Sequence, residues 1–381
     1  MIYLDNNATT RPAPEVVAAM IPYLADLYAN PSSAHGAGMA VKQALGQARG
    51  SVAGLIGAKP AEITFTASAT EANHLAILGT LRSRPDRRHV VTTAVEHPST
   101  LALFRELASQ GYHVTVLPVD ADGRIRRREL ASVVSSDTAL VSVMWANNET
   151  GVLMPVREAA EVARSRGAAF HTDAVQAVGR LEIDLRDLPI DLLTFSGHKL
   201  HGPKGIGVLF ARKGFELTPM ILGHQERRMR GGTENVPAIV GLGAAAVLAR
   251  DGLASGSGAA VAALRDRLEA GVLARLPGAR INGGGAARIP NTSNIGFIDR
   301  AGFPMEGEAL LMKLDQAGIQ VSMGAACAAG GMDPSHVLLA LGLSEAQAAA
   351  SLRFSLSRYS DVRDIDAVLD ALPGIAARLA A

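Results

Sequence analysis

Apolar positions along the chain fall into two kinds of segment. Short runs rich in β-branched and aromatic residues, EITFT, HVVTTAV, YHVTVLPV, TALVSVMWA, AAFHTDA, IDLLTFS and GIGVLFA, read as strands. Helical spacing separates the earlier ones, beginning near Glu71, near Ser99, near Arg128 and across 156–165. Alternation of this kind predicts an α/β fold with a mostly parallel, seven-stranded sheet covered on both faces, and it places ligand chemistry on loops at the carboxyl ends of strands. The small, flexible stretch GLASGSGAA (252–260) ends the rhythm. After it come one long helix, VAALRDRLEAGVLARL, and then short strands and loops, so a domain boundary is expected there.

Composition narrows the ligand. The chain has 381 residues, room for about two domains. Its 37 lysines and arginines nearly balance its 36 aspartates and glutamates, which leaves no electrostatic footprint for nucleic acid or an anionic membrane. The start, MIYLDNNATTRP, lacks the pattern of a secretory signal, and the longest helix-like apolar stretch, 238–249, reads as too short and glycine-rich to span a bilayer. A soluble, cytoplasmic protein with a small polar or charged ligand is expected. The single cysteine, Cys327, excludes an intrachain disulfide and an all-cysteine metal site, leaving a packed thiol or a nucleophile.

The strand-end loops carry the candidate chemistry. After EITFT, Ser68 and Glu71 fit a capping box, and a helix start directly after a strand offers N–H groups and a dipole to an anion. His97 follows HVVTTAV, and Asn147, Asn148 and Glu149 follow TALVSVMWA. Asp173 ends AAFHTDA, either as a buried carboxylate in need of a partner or as the cap of a helix AVQAVG. IDLLTFS leads into SGHKLHGPKG, where Lys199 lies four residues past the apolar run, near the floor of any cleft. Partial burial there would free its amine, whereas Lys204 reads as a solvated turn residue. His198 and His201 have helical spacing but no carboxylate or cysteine beside them, so no metal site is read. A phosphate cradle, an imidazole, amides, a carboxylate and an amine together suit pyridoxal 5′-phosphate, with its phosphate on the helix start at Ser68–Thr70, its ring nitrogen on Asp173, its ring under His97 and its aldehyde on Lys199.

With these residues in view, the chain resembles the cysteine desulfurases, fold-type I pyridoxal-phosphate enzymes, from YLDNNATT to SLRFSLSRYS. ATE (69–71), EHPS (96–99), NNETG (147–151), HTDAVQAVG (171–179), SGHKLHGPKG (196–205) and RGGTENV (230–236) all match, and VSVMWANNETG, GHQERR and GTENV are most similar to the nitrogen-fixation type. The resemblance implies a large cofactor-binding domain over 15–255 and a smaller α+β domain from 1–14 and 256–381 that carries the Cys327 loop. It implies Lys199 as the lysine bonded to the cofactor, Asp173 at the ring nitrogen and Gln176 at the ring oxygen. Ala69, Thr70, Ser196 and His198 would hold the phosphate, Asn148 would touch cofactor and substrate, and His97 would stack on the ring as an acid–base group. Thr233 would reach the phosphate of a neighbouring subunit, giving a homodimer with shared sites.

Cys327 sits in GAACAAGG, small residues on both sides, and by resemblance its thiolate takes sulfur from L-cysteine as a persulfide and hands it to an iron–sulfur scaffold or another acceptor, releasing L-alanine. GAACAAGG departs from the family's loop, which more often has a serine just before the cysteine and polar residues after it. Arg353 reads either as a snorkelling strand arginine or, by resemblance, as the fork for the substrate carboxylate. The rival readings are a selenocysteine lyase or other fold-type I enzyme, an aminotransferase, and a sulfur carrier. The last leaves Lys199, Asp173 and His97 together without a purpose.

Overall fold

The computed structural model describes residues 1–299, 301–323 and 334–379. Twelve strands occur among them: β1 (Ile2–Tyr3), β2 (Ile63–Thr66), β3 (His89–Thr93), β4 (His113–Leu117), β5 (Thr138–Ser142), β6 (Ala169–Asp173), β7 (Leu192–Ser196), β8 (Gly207–Ala211), β9 (Arg280–Ile281), β10 (Thr292–Gly296), β11 (Ile319–Gln320) and β12 (Ser351–Ser355). Seven form the large sheet in the order β2-β8-β7-β6-β5-β3-β4. β8 runs antiparallel to both its neighbours and the other pairs are parallel. Every residue of β3, β5, β6 and β7 is buried, as strands covered on both faces require. Edge strand β4 exposes His113 and Val116.

Helix Val236–Ala254 corrects one expectation. At 19 residues it outruns the 238–249 stretch, and by length and composition it could cross a membrane. More than half of its apolar window is buried inside the fold, with Gly243 closing on Ala48 of helix Gly36–Leu55. It is a core helix. Beyond it, Gly256 takes a left-handed conformation (φ 77°) and starts helix Ser257–Arg275, so the chain turns inside the expected 252–260 stretch.

A second apolar cluster then forms around Leu4, Leu268, Phe297, Leu310, Phe354 and Ile365, apart from the clusters that flank the large sheet. It is framed by the antiparallel sheet β12-β10-β9 and the parallel pair β1–β11. The first thirteen residues connect the two regions. Asn6 donates its backbone N–H to the Ser355 carbonyl at 3.1 Å, while Thr10 and Ala13 donate theirs to the His198 and His201 carbonyls at 2.9 Å.

Ahead of Thr233 the backbone is strained. Glu226, Arg227 and Arg228 all have positive φ (46°, 56° and 71°), a region that costs an L-residue about 1–2 kcal/mol each. The buried Glu226 carboxylate holds them in place, accepting both Arg49 Nη groups at 2.7 Å and the Phe65 N–H at 2.9 Å.

Candidate active site

The carboxyl ends of β2, β3, β5, β6 and β7 open on one cavity of about 460 Å³, lined by Ala69, Thr70, His97, Asn148, Asp173, Gln176, Ser196, His198, Lys199 and Arg353 among others. Sequence reasoning thus brought together residues that are up to 284 positions apart.

Helix Ala69–Ser83 begins directly after β2. Its cap, Ser68, accepts the Glu71 N–H at 3.1 Å. The reciprocal half of the expected capping box differs: the Glu71 carboxylate takes the N–H of Ala67 and pairs with Arg230 at 2.9 Å. Gly207 at the start of β8 permits this turn, because a Cβ there would meet the Ser68 carbonyl carbon at 2.3 Å. Ser196 donates its hydroxyl to the Ile206 carbonyl, and His198 Nδ1 meets Thr9 Oγ1 at 3.1 Å. Burial, then the neighbouring Lys199 and Lys204 charges, push His198 down to about 4, so it is a neutral imidazole.

Lys199 ends the short turn Gly197–Lys199 that follows β7. Its ammonium donates to the carbonyls of Ala8, at 2.7 Å, and Asn7. Lys204 is exposed at the cavity rim. Asp173 is buried; Oδ2 accepts the Asn73 amide at 2.8 Å and Oδ1 the Val175 N–H at 3.0 Å, both neutral donors. AVQAVG forms a turn and no helix, so the helix-cap reading of Asp173 is corrected to a turn contact. His97 caps helix Pro98–Ser109 through Nδ1 and the Ser99 N–H, and burial lowers its pKa while the Asp173 charge works the other way. Gln176 donates to the Asn7 carbonyl at 3.1 Å and accepts from Arg180.

Arg353 is no snorkelling arginine: it is 2% exposed, donating to Asp5 at 2.7 Å and to the Asn148 carbonyl at 3.0 Å. Its Nε–H is buried with no hydrogen-bond acceptor among the described residues. Thr233 is exposed and does not line the cavity of its own chain. Cys327 lies outside the described residues. After that segment, Ser335 donates to Glu149 Oε2 at 2.5 Å and His336 Nε2 meets the Glu96 carbonyl at 2.9 Å. Asn7, Asn73, Asp5 and Arg180 went unassigned in the sequence; a pair of asparagines in an N-terminal segment without strand or helix spacing was the one available hint.

Glu96, beside His97, is fully buried and driven up to about 8, chiefly by burial. Oε1 accepts from Thr93 and the Met144 N–H, both at 2.8 Å, and Oε2 has no partner among the described residues. A raised carboxyl stabilises the fold fully below its ordinary value of 4.5, and that contribution is lost as pH climbs through about 8. Thermal melting across that window should fall with pH in the native chain and stay flatter in Glu96→Gln. Parallel curves would mean that Glu96 is ionised throughout.

The cavity fits pyridoxal 5′-phosphate: an amine for the aldehyde, a buried carboxylate with only neutral donors for a ring N–H, and a helix start with adjoining hydroxyl and imidazole groups for the phosphate. The chain belongs to the aminotransferase class-V family, which matches residues 2–368 and comprises pyridoxal-phosphate enzymes. Within it the chain is of the nitrogen-fixation cysteine desulfurase type. It is 51% identical over 383 residues to the cysteine desulfurase of Cereibacter sphaeroides, covering 100% of this chain and 97% of that one. It is 48% identical over 380 residues to cysteine desulfurase NifS of Azotobacter vinelandii, with 99% and 93% covered. The solved structure of a NifS-like protein superposes with a TM-score of 0.92 at 35% identity, covering 99% of this chain and 100% of the other.

Proposed function

We propose that the protein converts L-cysteine to L-alanine and leaves the sulfur as a persulfide on Cys327, from which an iron–sulfur scaffold or another acceptor takes it. One observation carries the reading: an amine, a carboxylate held only by neutral donors, a helix start and a buried arginine with a spare N–H converge on one cavity. Pyridoxal 5′-phosphate, when bound, supplies the electron sink that makes the substrate α-carbon acidic.

The chain's own groups do the rest. Lys199 Nζ would hold the cofactor's aldehyde end and would carry the substrate α-proton; the carbonyls of Asn7 and Ala8 fix its position. Arg353, braced by Asp5 and the Asn148 carbonyl, receives the substrate carboxylate with its remaining N–H groups. His97, whose pKa burial lowers, would cover the ring and carry protons between substrate and solvent. Gln176 would contact the ring oxygen, Asn148 would touch cofactor and substrate, and Ala69, Thr70, Ser196 and His198 would hold the phosphate. The Cys327 thiolate attacks the substrate sulfur and the carbon–sulfur bond breaks; the proton from the thiol ends on alanine, so cysteine plus thiol gives alanine plus persulfide. Exposed Thr233 serves the site of a second copy in a homodimer. The apolar cluster around Leu4, Leu268 and Phe354 supports a division into domains 15–255 and 1–14 with 256–381, since it is drawn entirely from the second of them, and the enzyme works in the cytoplasm, supplying iron–sulfur cluster assembly for nitrogen fixation.

Product analysis with L-cysteine and a dithiol reductant is the test. Alanine and sulfide in equal amounts are expected. Pyruvate and ammonia would indicate β-elimination, and a sulfur-containing keto acid would indicate transamination; either would sink the proposal.

A further inference from the structure

Asp173 stands at the end of a buried line of side chains that runs across one face of the large sheet beneath helix Ala69–Ser83. Asn73 Nδ2 lies 2.8 Å from Asp173 Oδ2, Thr194 Oγ1 meets Asn73 Oδ1, His171 Nε2 lies 3.2 Å from Thr194 Oγ1, and Ser142 Oγ lies 2.8 Å from His171 Nδ1. Asn73 is 2% exposed and Thr194, His171 and Ser142 are 0% exposed. β5, β6 and β7 supply Ser142, His171 and Thr194, and helix Ala69–Ser83 supplies Asn73.

Chemistry gives this line one direction. An ionised carboxylate only accepts, so the Asn73 amide must turn its NH₂ to Asp173 and its carbonyl oxygen to Thr194. That oxygen only accepts, so the Thr194 hydroxyl donates its single proton to it and must itself receive from His171 Nε2–H. Burial pushes His171 down to about 3, so the ring is neutral and its bare Nδ1 accepts the Ser142 hydroxyl. No member can reverse without setting two acceptors face to face.

We propose that Thr194 and Asn73 are positioning residues for the reaction, with the chain Ser142 to His171 to Thr194 to Asn73 locking the amide so that it donates to Asp173 and holds that carboxylate aimed at the cofactor's ring nitrogen. The inference rests on the reading of Asp173 given above. Without the Thr194 hydroxyl, the Asn73 carbonyl oxygen loses its donor, and the amide is held at the Asp173 end alone. An amide held at one end only can swing and let Asp173 turn with it, which weakens the carboxylate's hold on a ring N–H. Thr194→Ser keeps the donor; Thr194→Val keeps the shape and loses it.

The experiment uses holoenzyme loaded with pyridoxal 5′-phosphate carrying ¹⁵N in the ring, in the native chain and in Thr194→Ser, Thr194→Val and Asn73→Ala. The ring-nitrogen NMR shift is followed over about pH 6 to 9, beside kcat and KM for L-cysteine. The native chain and Thr194→Ser should hold the ring proton throughout. Thr194→Val and Asn73→Ala should release it within the range, with kcat lowered about tenfold or more and KM little moved, as expected for an interaction that matters most in the transition state. Thr194→Val titrating like the native chain would overturn the proposed lock while leaving Asp173 in its role. A native ring nitrogen that never carries a proton would instead overturn the Asp173 assignment, and the lock with it. Should Thr194→Val fail to fold, Asn73→Ala decides in the same way.

Discussion

Lys199→Ala is expected to give a folded protein that binds pyridoxal 5′-phosphate only reversibly and turns over L-cysteine slower by on the order of 10⁴-fold or more, the scale seen when a covalent catalytic group is removed. Borohydride reduction followed by peptide mapping should then find no pyridoxyl adduct, whereas Lys204→Ala should still yield one on Lys199. The two lysines lie five positions apart in one glycine-punctuated loop, and their surroundings separate them. Lys199 follows a fully buried strand and places its amine against two backbone carbonyls in the cavity wall, while Lys204 is exposed at the rim. An adduct on Lys204 in the native chain would reverse the assignment.

The second large effect is expected at Cys327. Cys327→Ala should keep the cofactor's visible absorbance, respond spectrally to L-cysteine, and yet form alanine at least about a thousandfold more slowly, since the atom that receives sulfur is gone. Mass spectrometry should find one added sulfur on the native chain after brief exposure to L-cysteine and none on the variant. Full turnover by Cys327→Ala would exclude persulfide chemistry and leave a lyase that releases sulfur directly. The residues on the far side of that segment are described, and they attach to the large-sheet region: Ser335 to Glu149 and His336 to the Glu96 carbonyl.

The large sheet could be read from the chain because its central strands are buried on both faces. IDLLTFS or TALVSVMWA can be little else, and the residues just past such strands fall at one edge by geometry alone. Lys199, Asp173, His97 and Asn148 were legible for that reason. Asn73 was not: it lies inside a helix, where an asparagine looks like an indifferent surface residue until the helix is placed against β6 and β7. Asp5 and Asn7 were hidden for another cause, since their partners Arg353 and Thr292 lie 348 and 285 positions away and local spacing carries no trace of them. The Glu71 carboxylate went to Ala67 and Arg230, a choice that tertiary contacts make over the local box.

The placement of residues 2–13 sets a schedule for making the enzyme. These residues leave the ribosome more than 300 residues before β11 and β12, yet β1 pairs with β11, Asn6 with Ser355 and Asp5 with Arg353. The segment whose carbonyls hold the Lys199 amine docks on the large-sheet region through Thr10, Ala13 and Gln176, but its contacts with β11 and β12 form only after those strands have been synthesised. The finished cavity is thus tied to the synthesis of β12, whose Arg353 lines it and bonds Asp5 and Asn148, and a nascent chain that stops short of β12, however well its large sheet has folded, lacks that wall.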